Sequence, residues 1–570
     1  MTAHGDGIAV NQLVDTIAAG DIAQVRAILS IRPELARLST NNFQVLHHAV
    51  LHRSPEIVQL LMDLGANAHE GVYPHRDATS PLAIAAARGY DEIVAIIQAA
   101  EQRQRETTTG IAGVPPPDEL FHAIASGQPE KAIALMESQP SLIQTCHPVH
   151  RWTPLHLAAM KLNTAMAAWL LDHGANVAAR GRNGLTPLDL AAHSSSHATA
   201  AQFSAIASLL LAHGAEITAP AAVALGDSAW LSARHAAASL TNSIEDTGGL
   251  LRIAASHNRT EILSLLLDFG FDPNERTRCG EPGGDEIAFT AGMPLWHCAA
   301  SGKHDIAELL LRHGADPNAA VYASGTPLYQ AYGRRDWKMV ELLQRHGGRP
   351  NGTLAGLYRQ TELAKDLLAG RADTAMPDGM FEGKPLAEEL LWAAACGGDP
   401  EIVRLALEHI NWPRDDPRWF EILEQPLRFW NHGSGHWAAP HWDRSTYLDC
   451  FRLVLQRANP NLRGRVQDHA QSGLTILHSV CASRDHLTAD DRVAFATALL
   501  DAGARLDLRD NLLQSTPLGW ACRWCRTELV RLFLERGAAP VEPAAEPWAT
   551  PEAWARRMGH HHLLPLLGAI

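Results

Sequence analysis

Residues Thr153 to Ala192 read TPLHLAAMKLNTAMAAWLLDHGANVAARGRNGLTPLDLAA. Pro154 suits the first turn of a helix, where its missing N–H would have no intrahelical partner. Thr153 ahead of it offers a hydroxyl to the first free amides. Leu155, Leu157 and Ala158 put apolar atoms toward a second helix, and Ala158 and Ala159 permit close approach. That second helix is expected over roughly 164–173, with Ala167, Leu170 and Leu171 at helical spacing. Gly174 ends it in the left-handed conformation that glycine adopts freely. Residues 175–184 then form an extended hairpin into the next TPL. One such unit cannot bury its own apolar stripe, so neighbours must stack on it.

The two TPL segments begin 33 residues apart, at Thr153 and Thr186. With TPLHLA and LLDHGANV at that period, the stretch resembles the ankyrin repeat family. The same step separates Pro294 from Pro327 and Gly314 from Gly347. Carried along the chain, the register predicts an all-α ankyrin-repeat solenoid of about a dozen helix–turn–helix units with β-hairpin connections, in two or three segments.

Departures from the period suggest the domain organisation. Residues 1–100 read as N-terminal repeats, opening on a divergent unit of the kind that caps an array. Residues 101–117, EQRQRETTTGIAGVPPP, shift to charged and then Thr/Gly/Pro-rich composition and read as a linker. Central repeats follow over 118–350. They are stretched between Gly174 and Gly214, where extra residues fall near HSSSHATAA. Residues 351–384 carry a weaker pattern and read as a degenerate connector. Divergent C-terminal repeats occupy 385–570, with an insertion loop at 431–444.

Composition narrows the function classes. Hydrophobic residues make up 46% and charged residues 19%, as in a folded soluble chain. A net charge of −14 argues against a general binder of nucleic acid or anionic membrane. The N-terminus lacks a basic segment followed by an apolar run, and no uninterrupted apolar stretch is long enough to span a bilayer. Eight scattered cysteines form no disulfide framework, which fits a reducing cytoplasm. The Ala-, Arg- and Pro-rich composition points to a GC-rich bacterial source.

The 30 histidines suggest metal chemistry, yet most occupy repeat positions. His156 and His478 stand at the TPLH histidine. His173, His213, His313 and His346 precede the glycine that ends the outer helix, and His560 lies at the turn between helices. Hydrogen bonding at turns accounts for them. Cys522 and Cys525 form CRWC, but in register they replace a buried alanine and the turn glycine. No second CxxC completes a tetrahedral site, so the pair is read as structural. The loop NHGSGHWAAPHWD holds His432, His436, His441 and Asp443, ligand types that zinc or iron prefer. A solvated or aromatic-packed insertion is the favoured reading there, and no cofactor is expected.

Functional weight falls on the hairpins and inner helices, which the family resemblance implies line a concave binding surface. The long connections present His75, Arg76 and Asp77, then His150, Arg151 and Trp152, then Arg180 and Arg182, then Arg276 and Arg278. From the inner helices His52, Tyr329, Tyr332, Arg523 and Trp524 join them. Trp, Tyr and Arg dominate binding hot spots. No P-loop, dinucleotide fingerprint, HExxH or GxSxG occurs. The resemblance therefore implies a protein–protein interaction scaffold that holds another protein or peptide. The alternative is a solenoid-based enzyme or small-molecule binder, with a polar His/Arg/carboxylate pocket formed by the long loops.

Overall fold

The computed structural model describes residues 4–40, 43–71, 79–108, 117–147, 151–181, 184–194, 200–241, 248–279, 288–319, 321, 325–373, 381, 383–428, 444–466, 469–483 and 487–568. Short helices alternate as inner and outer members of antiparallel pairs. Strand is confined, among the described residues, to three two-stranded hairpins, one of which pairs Arg276–Cys279 with Ala288–Ala291. The repeat solenoid expected from the 33-residue period is the observed architecture. The chain divides into two compact units. One comprises Glu106–Gly280 and Ile287–Arg349; the other comprises Met1–Arg105, Glu281–Glu286 and Pro350–Ile570.

In the unit of residues 106–280 and 287–349, the inner helices Pro154–Met160, Pro187–His193, Ala219–Leu225, Leu250–Ser256, Met293–Ser301 and Pro327–Gly333 pack side by side in sequence order. Threonine caps recur at their starts: Thr153 accepts from the His156 amide, and Thr326 from the Tyr329 amide at 3.3 Å. Most of these inner helices end in a turn whose last residue is left-handed. Glycine takes this place at Gly302, with φ 71°, but Leu162, Asn258, Arg335 and Cys525 hold φ of 52°, 54°, 56° and 56° at the same point of their repeats. The stacking of neighbours therefore overrides a local cost of about 1–2 kcal/mol for an L-residue there.

The TPLH histidine ties one repeat to the next. The Thr153 amide donates to His156 Nδ1 at 3.1 Å, which leaves Nε2 as the donor to the Leu185 carbonyl at 3.1 Å. His47 and His478 repeat the pattern toward the carbonyls of Thr79 and Ser515. Asp189 fills the histidine position in its own repeat, accepting from the Thr186 amide at 2.9 Å and from the Thr218 hydroxyl. Histidines of the outer-helix ends bond locally, His173 to the Trp169 carbonyl at 2.7 Å and His313 to that of Leu309 at 2.9 Å. His560 Nδ1 reaches the Cys522 carbonyl at 2.9 Å. These bonds are the structural roles expected of the repeat histidines.

The other unit has two core clusters. The first runs from Val10 to Ala100, with the partly buried Leu512 packed against it. The second runs from Ala355 to Leu567 and encloses Trp419, Trp520, Trp554 and Tyr447. Arg88 donates to the Leu512 carbonyl at 3.1 Å and lies 4.9 Å over the Trp548 ring, so N-terminal and C-terminal repeats touch within this unit. The helix Asp91–Thr108 continues into the segment read as a linker. Residues read as a degenerate connector form a helix pair, Gly352–Leu357 and Thr361–Leu368. Its recognition signal is glycine rather than TPLH. A Cβ on Gly356 would stand 2.5 Å from the Ala394 amide nitrogen, and one on Gly397 would stand 2.4 Å from the Gly356 carbonyl oxygen. The two backbones meet because neither residue has a side chain.

Candidate functional site

The inner helices of the unit of residues 106–280 and 287–349 hold its most unusual chemistry. Arg252 occupies the histidine position of the repeat that begins at Leu250, where only 5% of it is exposed. A guanidinium is too long for the local bond that histidine makes, so its function in the repeat is divided. Glu275, itself 2% exposed, comes from the following hairpin and accepts the amides of Gly249 and of Arg252, the latter at 3.0 Å. Arg252 Nη1 instead donates to the His193 carbonyl at 3.0 Å, and His257 Nε2 bonds the Ala192 carbonyl at 2.9 Å. Both side chains thus reach the end of Pro187–His193. The intervening helix, Ala219–Leu225, buries little beyond Pro220, Val223 and alanine, and its small size permits that approach.

The next repeat adds two more groups. His297 stands where Leu157 and Leu190 stand in earlier repeats, and it is 4% exposed. Its Nε2 has no hydrogen-bond partner among the described residues. Lys303 donates from Nζ to the carbonyls of Ala255 and Ser256, both at 2.7 Å, closing the C-terminal end of the preceding inner helix. Burial dominates the ionisation of this cluster. It pushes His193 and His297 down to about 3, and the Arg252 charge adds to the effect on both. Burial also brings Arg252 down to about 10, opposed by the Glu275 carboxylate, and lowers Lys303 and His257. The imidazoles are therefore neutral at pH 7, beside a guanidinium whose charge the Glu275 carboxylate favours.

The sequence-predicted residues fall into several groups. Arg151 and Arg180 are exposed, Arg151 with a left-handed φ of 54° and Arg180 donating to the Gly184 carbonyl at 2.9 Å. Trp152 is half-buried and His52 is exposed at the end of Val45–Leu51. Tyr329 is buried; Tyr332 is half-buried with its ring edge-on to Trp337 at 5.6 Å. Arg523, expected on an open surface, is only 3% exposed. Its guanidinium lies 5.1 Å over the ring of Trp554 and 3.2 Å from Met558 Sδ, because the last repeat packs onto that helix. Trp524 is half-buried beside it. Arg276 and Arg278 lie in the paired strand Arg276–Cys279. His75, Arg76, Asp77, His150, Arg182 and the set His432, His436, His441 and Asp443 lie outside the described residues.

Thus the structure gathers Arg252, Glu275, His193, His257, His297 and Lys303, none of which the sequence reading selected. The signal was present: arginine in place of the repeat histidine and histidine in place of a repeat leucine. Among the described residues no three metal-ligating side chains come together. Cys522 is buried with its thiol pushed up to about 12, as its alanine position implies, and Cys525 holds the left-handed turn. In the other unit a cleft of about 570 Å³ opens between Leu500 and Ala544. Its arginines are paired, Arg505 with Asp507 and Arg509 with Glu542, each at 2.7 Å, and Arg536 with Asp501 at 2.8 Å.

The family model for ankyrin repeats in three copies matches residues 120–221, 229–321 and 251–353. No curated protein matches. Among solved structures, the human ASB11 ankyrin repeat domain is similar at 20% identity and TM-score 0.21, covering 40% of this chain and 83% of that one. The ankyrin repeat domain of Bcl-3, titled a unique member of the IkappaB family, is similar at 24% identity and TM-score 0.19, over 40% and 86%.

Proposed function

We propose that this chain, whose residues 120–221 and 229–353 match the ankyrin repeat model, is a scaffold that holds another protein or peptide along its inner helices and hairpin tips. Ankyrin repeats are in general protein–protein interaction modules. The observation that carries the reading is the row of inner helices from Pro154 to Gly333, packed consecutively and flanked by the exposed hairpin arginines Arg151 and Arg180. Such a row presents one continuous surface to a partner, with rigid spacing set by the repeat.

The small-molecule reading draws on the buried cluster around Arg252. Its charged groups are already engaged, Arg252 and Lys303 by backbone carbonyls and Glu275 by backbone amides. That favours the cluster as a structural tie and the surface as the binding element. Cytoplasmic residence fits the seven cysteines that are free among the described residues.

The test is affinity capture with the wild type and with Arg151→Glu plus Arg180→Glu. A partner held by the wild type is expected to be lost from the charge-reversed chain. Capture that is unchanged by the double reversal refutes this surface.

A further inference from the structure

Outer helices in this chain open in a repeated way. Thr260–Asp268, Thr361–Leu368 and Thr527–Glu535 each begin Thr-Glu, with the carboxylates Glu261, Glu362 and Glu528 in the first turn. That arrangement suits the positive end of the helix dipole. The helix Trp337–Arg345 occupies the same place in its repeat and begins Trp-Lys, with no acidic residue in its first turn.

Neither exchange serves the fold. Trp337 is 57% exposed, at a point where threonine suffices in the helices that begin at Thr164, Thr260, Thr361 and Thr527. Its ring meets Tyr332 edge-on at 5.6 Å, which holds it in place without covering it. Lys338 is exposed and adds positive charge to a helix N-terminus. Arg334 and Arg335 lie exposed in the preceding turn, with Arg335 in the left-handed conformation at φ 56°. Of the nearby carboxylates, Asp336 caps the helix through the Met339 amide and pairs with His304 at 2.8 Å. Glu341, also exposed, follows one turn later. Arg334 also lies near the Asp336 carboxylate; residues 334–338 still carry three basic side chains, a helix N-terminus and one exposed indole, on a chain whose net charge is −14.

We propose that Tyr332, Arg334, Arg335, Trp337 and Lys338 form a docking surface for a carboxylate-rich peptide segment of a partner protein, with an apolar side chain seated on Trp337. This rests on the scaffold reading above and names the chemistry of one contact. Charge complementarity selects the occupant: the basic groups steer an acidic segment and the indole supplies the apolar anchor.

The experiment uses the full chain and a fluorescently labelled synthetic peptide of glutamate and aspartate around a central Leu-Phe pair. Its counterpart has the acids replaced by glutamine. The variant is Trp337→Thr plus Lys338→Glu, which writes this chain's own Thr-Glu start into the helix; thermal melting checks that it folds. Anisotropy is expected to show binding of the acidic peptide that weakens with salt and drops about tenfold or more in the variant. The glutamine peptide is expected to bind more weakly, and hydrogen exchange to slow at residues 332–341. Equal binding by both chains overturns the proposal, as does failure of the acidic peptide to bind. Competition by single-stranded DNA at equal strength also overturns it, in favour of a general polyanion surface. Protection confined to the inner helices or hairpin tips overturns this surface while leaving the scaffold reading intact. Loss of the scaffold reading itself is read separately, from the Arg151 and Arg180 variant.

Discussion

His297→Leu is the substitution whose consequences the structure specifies most fully. His297 is held down to about 3 by burial, then by Arg252, Lys303 and His257, whereas an unfolded imidazole titrates at its ordinary 6.5. Between those values the unfolded chain binds a proton that the folded chain refuses. Stability therefore rises with pH up to 6.5, is level above it, and falls as acid is added. At pH 5 the loss is about 2 kcal/mol for each such histidine. His193 and His478, both also held near 3, add to it. Leucine at 297 matches Leu157 and Leu190 in the equivalent places and removes a buried nitrogen that has no hydrogen-bond partner among the described residues.

The variant should therefore gain about 1–3 kcal/mol at pH 7.5 and lose about 2 kcal/mol less than the wild type between pH 7.5 and pH 5. The readout is hydrogen-exchange protection of the helices Leu250–Ser256 and Met293–Ser301 at the two pH values. Two results would refute the reasoning: an acid loss in the variant equal to that of the wild type, or a His297 imidazole that titrates near 6 in the folded protein by NMR.

Gly356→Ala should destabilise the chain by about 1–3 kcal/mol, because its Cβ would fall 2.5 Å from the Ala394 backbone nitrogen; urea unfolding measures it, and a neutral result would mean the helices separate freely. Thiol labelling of the native protein should modify the exposed Cys146 and the half-buried Cys525 first, and leave Cys298, Cys450, Cys481 and Cys522 unmodified until unfolding. Prompt labelling of Cys522 would contradict its buried alanine position. Arg88→Ala removes the bond to the Leu512 carbonyl and the stacking on Trp548; it should cost about 1 kcal/mol and raise proteolytic cleavage near Trp548, and an unchanged digest would show that this contact contributes nothing.

Much of the molecule is legible as text where each repeat makes the same local bonds. Thr153, His156 and Gly174 announce a cap, a tie and a stop, and the structure places each accordingly. The CRWC pair is read correctly for the same reason, since register alone assigns one cysteine to the core and one to the turn. Legibility fails where packing substitutes for consensus. Gly352–Leu357 lacks TPLH because its bond to the next helix is made by absent side chains. Arg523 looks like a surface residue until Trp554, some thirty residues later, covers it. The Trp337–Lys338 start was visible in the sequence only by comparison with Thr-Glu at three other helix starts.

By itself the amino-acid sequence determines the repeat, its register and the roles of histidines at the TPLH and helix-end positions, such as His156, His478, His173 and His313. Those depend on contacts within a unit and with the adjacent one, so they recur with the 33-residue period. Only the tertiary structure decides that Arg252 and His257 reach across a small alanine-rich helix to Ala192 and His193. It also decides that residues 1–105 share a compact unit with 350–570. Neither outcome leaves a local pattern. The first depends on the size of an intervening helix, and the second on a contact such as Arg88 with Leu512, between residues more than four hundred positions apart. At that distance no periodicity along the chain relates the two partners, and only the packed structure brings them together.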